Sequence, residues 1–157
     1  MRYAQNTEVS SDKSRGEIER ILQKYGASGF MYGWKGDAAV IAFEMHGKSI
    51  KFILPLPNKN DKKFKVTPKR EYLRTEQEAY QAWEQACRQK WRALTLCIKA
   101  KLEASESGIT TFEHEFLAHF VMPGGQIFGD YIIPQIEEAR KSGRLPRLMI
   151  GYKTKED

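Results

Sequence analysis

The sequence predicts an α+β fold: an N-terminal helix, a three-stranded antiparallel β-meander, a long helix and two shorter C-terminal helices, in the order α-β-β-β-α-α-α. Three observations lead there. Between residues 29 and 54, apolar residues alternate with other residues in three short runs separated by turn signals. From about residue 75 to 105 the apolar period changes to that of a helix. Short turns between successive strands force antiparallel neighbours, and the helices must then cover a face of that sheet.

Taken in order, residues 1–10 are polar and expected to be mobile. Ser14-Arg-Gly-Glu17 fits a capping box ahead of Ile18, Ile21, Leu22 and Tyr25, which predicts a helix over about 12–25 that Gly26 ends. The first strand, Gly29–Trp34, sets Phe30, Tyr32 and Trp34 on one side. Lys35-Gly36-Asp37 turns the chain into Ala38–Met45, where Ala39, Ile41, Phe43 and Met45 share a side. His46-Gly47 is a two-residue hairpin turn of the primed kind, followed by Lys48–Leu54. Pro55 and Pro57 end the sheet, because proline donates nothing to the ladder.

Residues 58–74 read as a mobile basic loop with few apolar anchors, long for a passive connection. Thr75 caps the long helix, with Glu76 and Glu78 in its first turn. Along it Tyr80, Trp83, Cys87, Trp91, Leu94, Ile98 and Leu102 form an apolar stripe, and Gln81, Gln85, Arg88, Arg92 and Lys99 an adjacent polar one. Ala79, Ala86, Ala93 and Ala100 mark a third face, suited to close approach of another helix of this chain or of a second copy. Thr110-Thr-Phe-Glu113 is another capping box, opening a helix to about Phe120. Pro123-Gly124-Gly125 breaks the chain, and a last helix covers about 129–142, closing at Gly143. At 157 residues, with 8 Phe, 7 Tyr and 3 Trp, the chain is sized for one domain over residues 1–157.

No apolar run is long enough for a membrane span, and Met1–Glu8 has no apolar stretch of the kind a secretory signal needs. Cys87 and Cys97 lie ten residues apart on one helix, about 15 Å along its axis, too far for a disulfide. They are expected as packed free thiols in a reducing cytoplasm, with no sign of an activated nucleophile.

The net charge of +6 is uneven. Residues 59–74 carry seven basic and two acidic groups, and residues 88–101 carry five basic groups and no acid. Clustered cations make a strong local potential. A solvated surface on a basic protein accounts for this pattern, and so does an anionic partner, nucleic acid above all. On the second reading Lys62, Lys63, Lys65, Lys69, Arg70, Arg88, Arg92 and Lys99 meet phosphates. Tyr32 and Trp34 are the candidates to stack on unpaired bases, if their face of the sheet is open. If that face meets the helices, they are core, and the opposite set with Val40 and Ile53 is the exposed one.

His114-Glu-Phe-Leu-Ala-His119 catches the eye as metal-like, but histidines five apart do not share a helix face. Glu115 and His119, four apart, could share an ion only with Glu113 or a distant residue completing the set. Pro123-Gly-Gly-Gln-Ile-Phe-Gly129 lacks the Gly-Lys-Ser/Thr ending of a phosphate loop and reads as a hinge. No cofactor is implied.

The stretches Tyr25-Gly-Ala-Ser-Gly-Phe-Met-Tyr-Gly-Trp34, Leu54-Pro-Leu-Pro57, Lys90-Trp-Arg-Ala-Leu-Thr-Leu-Cys-Ile-Lys-Ala-Lys-Leu-Glu-Ala104 and Glu106-Ser-Gly-Ile-Thr-Thr-Phe-Glu-His-Glu-Phe-Leu-Ala-His119 resemble small proteins encoded by bacteriophages and prophages. The resemblance brings no activity with it. It implies a bacterial host cytoplasm and a role in phage DNA replication, recombination or counter-defence. At the level of element order only, the chain is similar to ring-forming single-strand annealing proteins, which pack a long helix across a meander, and less so to double-stranded RNA-binding domains. The functional expectation is a non-enzymatic protein that binds single-stranded DNA and self-associates. The alternatives are a module that binds a host defence protein and, last, a metal-dependent enzyme.

Overall fold

The computed structural model describes residues 2–69 and 72–145, with side chains from Asp12 onward within those ranges. Its elements are α1 (Arg2–Lys24), β1 (Gly29–Lys35), β2 (Ala38–Met45), β3 (Lys48–Pro55), α2 (Lys62–Lys65), α3 (Glu76–Glu106), α4 (Phe112–Phe116) continued by a 3-10 turn (Leu117–His119), and α5 (Phe128–Ser142). The architecture is α+β with an antiparallel meander, as the sequence predicts.

The strands lie where alternation put them. β2 is central, pairing Phe43 with Phe30 and Ile50, and Ile41 with Tyr32 and Phe52. His46 and Gly47 both take positive φ, 52° and 71°, the geometry of a primed two-residue turn whose twist matches the flanking strands. One sheet face is apolar and covered: Ala39, Ile41, Phe43, Met45, Ile50, Phe52 and Leu54 are buried with Ile18 and Leu22 of α1, Trp91, Leu94, Ile98 and Leu102 of α3, and Phe112 and Phe116 of α4. The other face is open at Met31, 70% exposed, and Ile53, 50% exposed. Lys51, on that face, donates to the carbonyl of Gly125.

α1 begins at Arg2, ten residues before the expected start, so residues expected to be mobile are helical and Ser14 is interior. A capping pattern marks a helix start only when the chain ahead of it leaves the helix. Here Asp12 reaches forward to Arg15 at 2.7 Å and the helix runs through. Its end agrees with the sequence: Gly26 at φ 92° closes a Schellman motif, with the Ala27 N–H on the carbonyl of Leu22 and the Gly26 N–H on that of Gln23.

Thr75 and Glu78 cap α3 reciprocally, and its predicted apolar stripe is buried from Trp83 to Leu102. The N-cap of α4 is Thr111, one residue later than the capping box suggested, with its hydroxyl accepting from the His114 N–H. Gly143 ends α5 in the left-handed region, its N–H bonded to Ala139.

The basic segment 58–74 departs furthest from expectation. It is not a featureless loop. Asp61-Lys-Lys-Phe-Lys65 makes one helical turn, α2, and Phe64 is buried against Trp83 and Cys87 of α3. A bridge between Val66 and Leu73 closes the rest. One well-placed aromatic anchors a segment whose composition is otherwise polar.

Candidate nucleic-acid interface

α2 presents Phe64 inward, which leaves Lys62, Lys63 and Lys65 pointing to solvent. The Arg74 guanidinium donates to the carbonyls of Phe64 and Lys63, at 3.3 and 3.5 Å, neutralising the carbonyl end of that turn. Lys59 lies over the rings of Tyr80 and Trp83, 5.0 and 5.9 Å from their centroids. Lys69 is exposed beside Tyr72, and both line a shallow hollow with Thr67, Pro68 and Arg74. Lys63 faces Asp61 at 3.7 Å. Lys62, Lys65 and Lys69 have no carboxylate partner among the described residues. Arg70 lies outside the described residues.

Arg88, Arg92 and Lys99 are exposed on α3, as the stripe predicts, and span about 16 Å of its axis. Arg88 is paired with Glu84 at 3.3 Å. Lys101 is drawn out of the set: its ammonium meets the Glu115 carboxylate at 3.2 Å and the Glu115 carbonyl at 3.1 Å.

These cations do not form one surface around α3. α2 is seated on Trp83 and Cys87, with Ala82 and Ala86 packed against the same cluster, which is the alanine side of the helix. At about 100° per residue, Arg88, Arg92 and Lys99 lie about half a turn away. Two basic groups therefore flank α3: a dense one on α2 and the turn after it, and a sparse one along the helix itself.

The aromatic expectation divides as well. Tyr32 faces the helices, with Trp91 5.9 Å away on centroids and the Arg15 guanidinium 4.6 Å above its ring, so it is not open to a base. Trp34 is 56% exposed at the sheet edge. Sequence reasoning passed over Tyr72, 64% exposed beside Lys69. The signal was present in Pro68-Lys-Arg-Glu-Tyr72, an aromatic interleaved with bases.

The metal-like helix is used otherwise. Glu113 meets Lys48 at 3.1 Å, and its carboxyl is held below the usual range by its backbone hydrogen bond and by that lysine. His119 lies flat on Phe52, centroids 3.9 Å apart, with burial and then Lys101 pushing its pKa down. With Glu115 occupied by Lys101, the set is not assembled, and no group of three potential ligands stands close enough to hold an ion among the described residues. Cys87 is buried, its thiol pushed up to about 11 by burial. Cys97 is exposed, contrary to the expectation that it packs. Ala93 and Ala100 are exposed too, so no helix of the described chain covers that part of the alanine face.

Comparison with protein-family models, with curated proteins and with solved structures finds no match to this chain. No helix among the described residues is long and apolar enough to cross a membrane.

Proposed function

We propose that this chain binds nucleic acid without catalysis, holding single-stranded DNA on the basic segment 59–74. The observation that carries the reading is the anchoring of that segment. Lys62, Lys65 and Lys69 are exposed and have no carboxylate partner among the described residues; the buried Phe64 fixes the helical turn that carries Lys62 and Lys65, and Lys69 follows between the bridged residues Val66 and Leu73. A cationic segment on a rigid mount attracts a phosphate backbone at less entropic cost than a floppy one. Tyr72 supplies an exposed ring within the same segment, and base stacking favours unpaired strands. The resemblance to phage-encoded proteins is the reason for assigning DNA, and a step in replication or recombination. The stripe of Arg88, Arg92 and Lys99 is a secondary contact for a strand long enough to wrap α3.

Fluorescence anisotropy with labelled single strands and duplexes at two salt concentrations tests this. Three phosphate contacts removed by K62E/K65E/K69E flatten the log–log salt slope by about 2 and weaken binding strongly. The same slope and affinity in that triple variant, or no binding by the wild type at low salt, overturns the proposal.

A further inference from the structure

β1 is an edge strand, and no strand lies beyond it in the sheet. Which backbone groups it leaves outward follows from the hydrogen bonding of β3. The Val121 N–H bonds the Ser49 carbonyl, so Ser49, Lys51 and Ile53 turn their backbone away from β2, and Ile50, Phe52 and Leu54 turn theirs toward it. Carried through the two registers, the same alternation points the N–H and C=O of Met31 and Gly33 at β2 and those of Phe30 and Trp34 outward. Neither Phe30 nor Trp34 has another backbone partner among the described residues. An edge of this kind is a template for a further strand, and lysine or proline is the usual means of blunting it. From Gly29 to Trp34, β1 contains neither.

The side chains along this edge say which strand fits. We infer that β1 pairs antiparallel with β1 of a second copy, about a two-fold axis at Tyr32, joining the two meanders into one sheet. This register pairs all seven residues of the strand and sets outward-facing Phe30 opposite outward-facing Trp34 of the other copy. Three contacts follow, each made twice. Trp34 is 56% exposed, and its indole comes to lie beside Phe30 of the other copy. There α1 and the start of β1 leave a hollow of about 190 Å³ lined by Glu19, Leu22, Gln23, Ser28 and Phe30. On the other face Met31, 70% exposed, covers Gly33 of the other copy, where a Cβ would meet nothing within 4 Å. Lys35 falls opposite Gly29, whose partner on β2 is Glu44. Lys35 and Glu44 then share a face at about 10 Å between Cα positions, with only the Gly29 hydrogen between their stems. Both are exposed, and neither is in an ion pair among the described residues. A parallel pair turns the two covered faces to opposite sides, which separates Trp34 from the hollow and Lys35 from Glu44.

Sedimentation velocity across a concentration series of the full chain, before and after nuclease treatment, tests this. The expected result is a reversible monomer–dimer equilibrium that nuclease leaves unchanged, with amide exchange at Phe30 and Trp34 slowing as the dimer fills. W34K, which sets a charge at the hollow, weakens the dimer about a hundredfold, and K35E or E44K alone about tenfold. K35E/E44K together restore the complement and recover association. All three side chains are exposed, so the far-UV circular dichroism of the variants stays that of the wild type. A wild type that stays monomeric throughout overturns the inference, and so does a dimer that nuclease removes. A dimer unaffected by W34K, or a charge swap that does not recover association, overturns it equally.

Discussion

The indole nitrogen of Trp83 donates to the carbonyl of Pro57 at 2.7 Å, tying the end of the meander to the first turns of α3. The basic segment leaves from that tie and returns at Arg74, whose N–H bonds the Lys65 carbonyl at 2.8 Å. Between them the Phe64 ring fills the space over Trp83 and Cys87.

Replacing Phe64 with alanine therefore unhooks the segment. We expect a loss of about 3 kcal/mol, the low end for a buried phenylalanine, because the cluster is a satellite of the main core. The variant exposes residues 59–74 to limited proteolysis and lowers nucleic-acid affinity, although no cation is removed. A cleavage pattern identical to the wild type's argues that the anchor is dispensable.

Gly129 is a position where the fold depends on a residue without a side chain. A Cβ there would stand 2.9 Å from the carbonyl oxygen of Ala118 and 3.2 Å from its Cβ. Glycine to alanine inside a helix ordinarily stabilises by up to about 1 kcal/mol. Here the sign reverses, because backbone cannot yield as a flexible side chain does. We expect Gly129→Ala to push α5 off the 3-10 turn, seen as faster amide exchange over 128–142. Unchanged or slower exchange there shows that the turn gives way instead.

His119 makes stability depend on pH. Its folded pKa is depressed, first by burial and then by Lys101, so the unfolded chain binds the proton more readily. The stabilisation is complete above the unfolded value of about 6.5 and is lost as pH falls from there toward the folded pKa. Chemical denaturation midpoints should decline from about pH 7 to about pH 5, and His119→Phe, which keeps the ring on Phe52, should flatten that decline. Glu113, also depressed, acts in a lower window, since its stabilisation is lost only below the ordinary carboxylate range. A His119→Phe profile parallel to the wild type's between pH 7 and pH 5 rules the histidine out as the cause.

The two cysteines should separate by reactivity. The Cys87 thiol is buried and pushed up to about 11, whereas Cys97 is exposed on the same helix. A thiol reagent should modify one cysteine in the native protein, identified by peptide mapping as Cys97, and the second only with denaturant. Native modification of Cys87 would mean that the α2 cover opens readily.

Much of the framework was legible in order of residues alone. Strict alternation fixed β2 to the residue, His46-Gly47 announced its turn, and the seven-residue apolar stripe of α3 named six residues that are buried, from Trp83 to Leu102. Periodicity reports spacing within an element, and it is insensitive to what lies beside that element. It therefore determined that Tyr32 and Met31 face opposite ways, but only packing decided that the Tyr32 face is the covered one. The same limit separates the cations: the sequence placed seven bases in 59–74 and a basic stripe on α3, while the seat of Phe64 on the alanine side put them on opposite flanks. Tertiary structure also settled that Cys97 and Ala93 face solvent and that the apolar stripe of α5 lies outside the core. Each of those outcomes depends on the angle at which one element meets another, a quantity set by many distant contacts at once and written in no single stretch of chain.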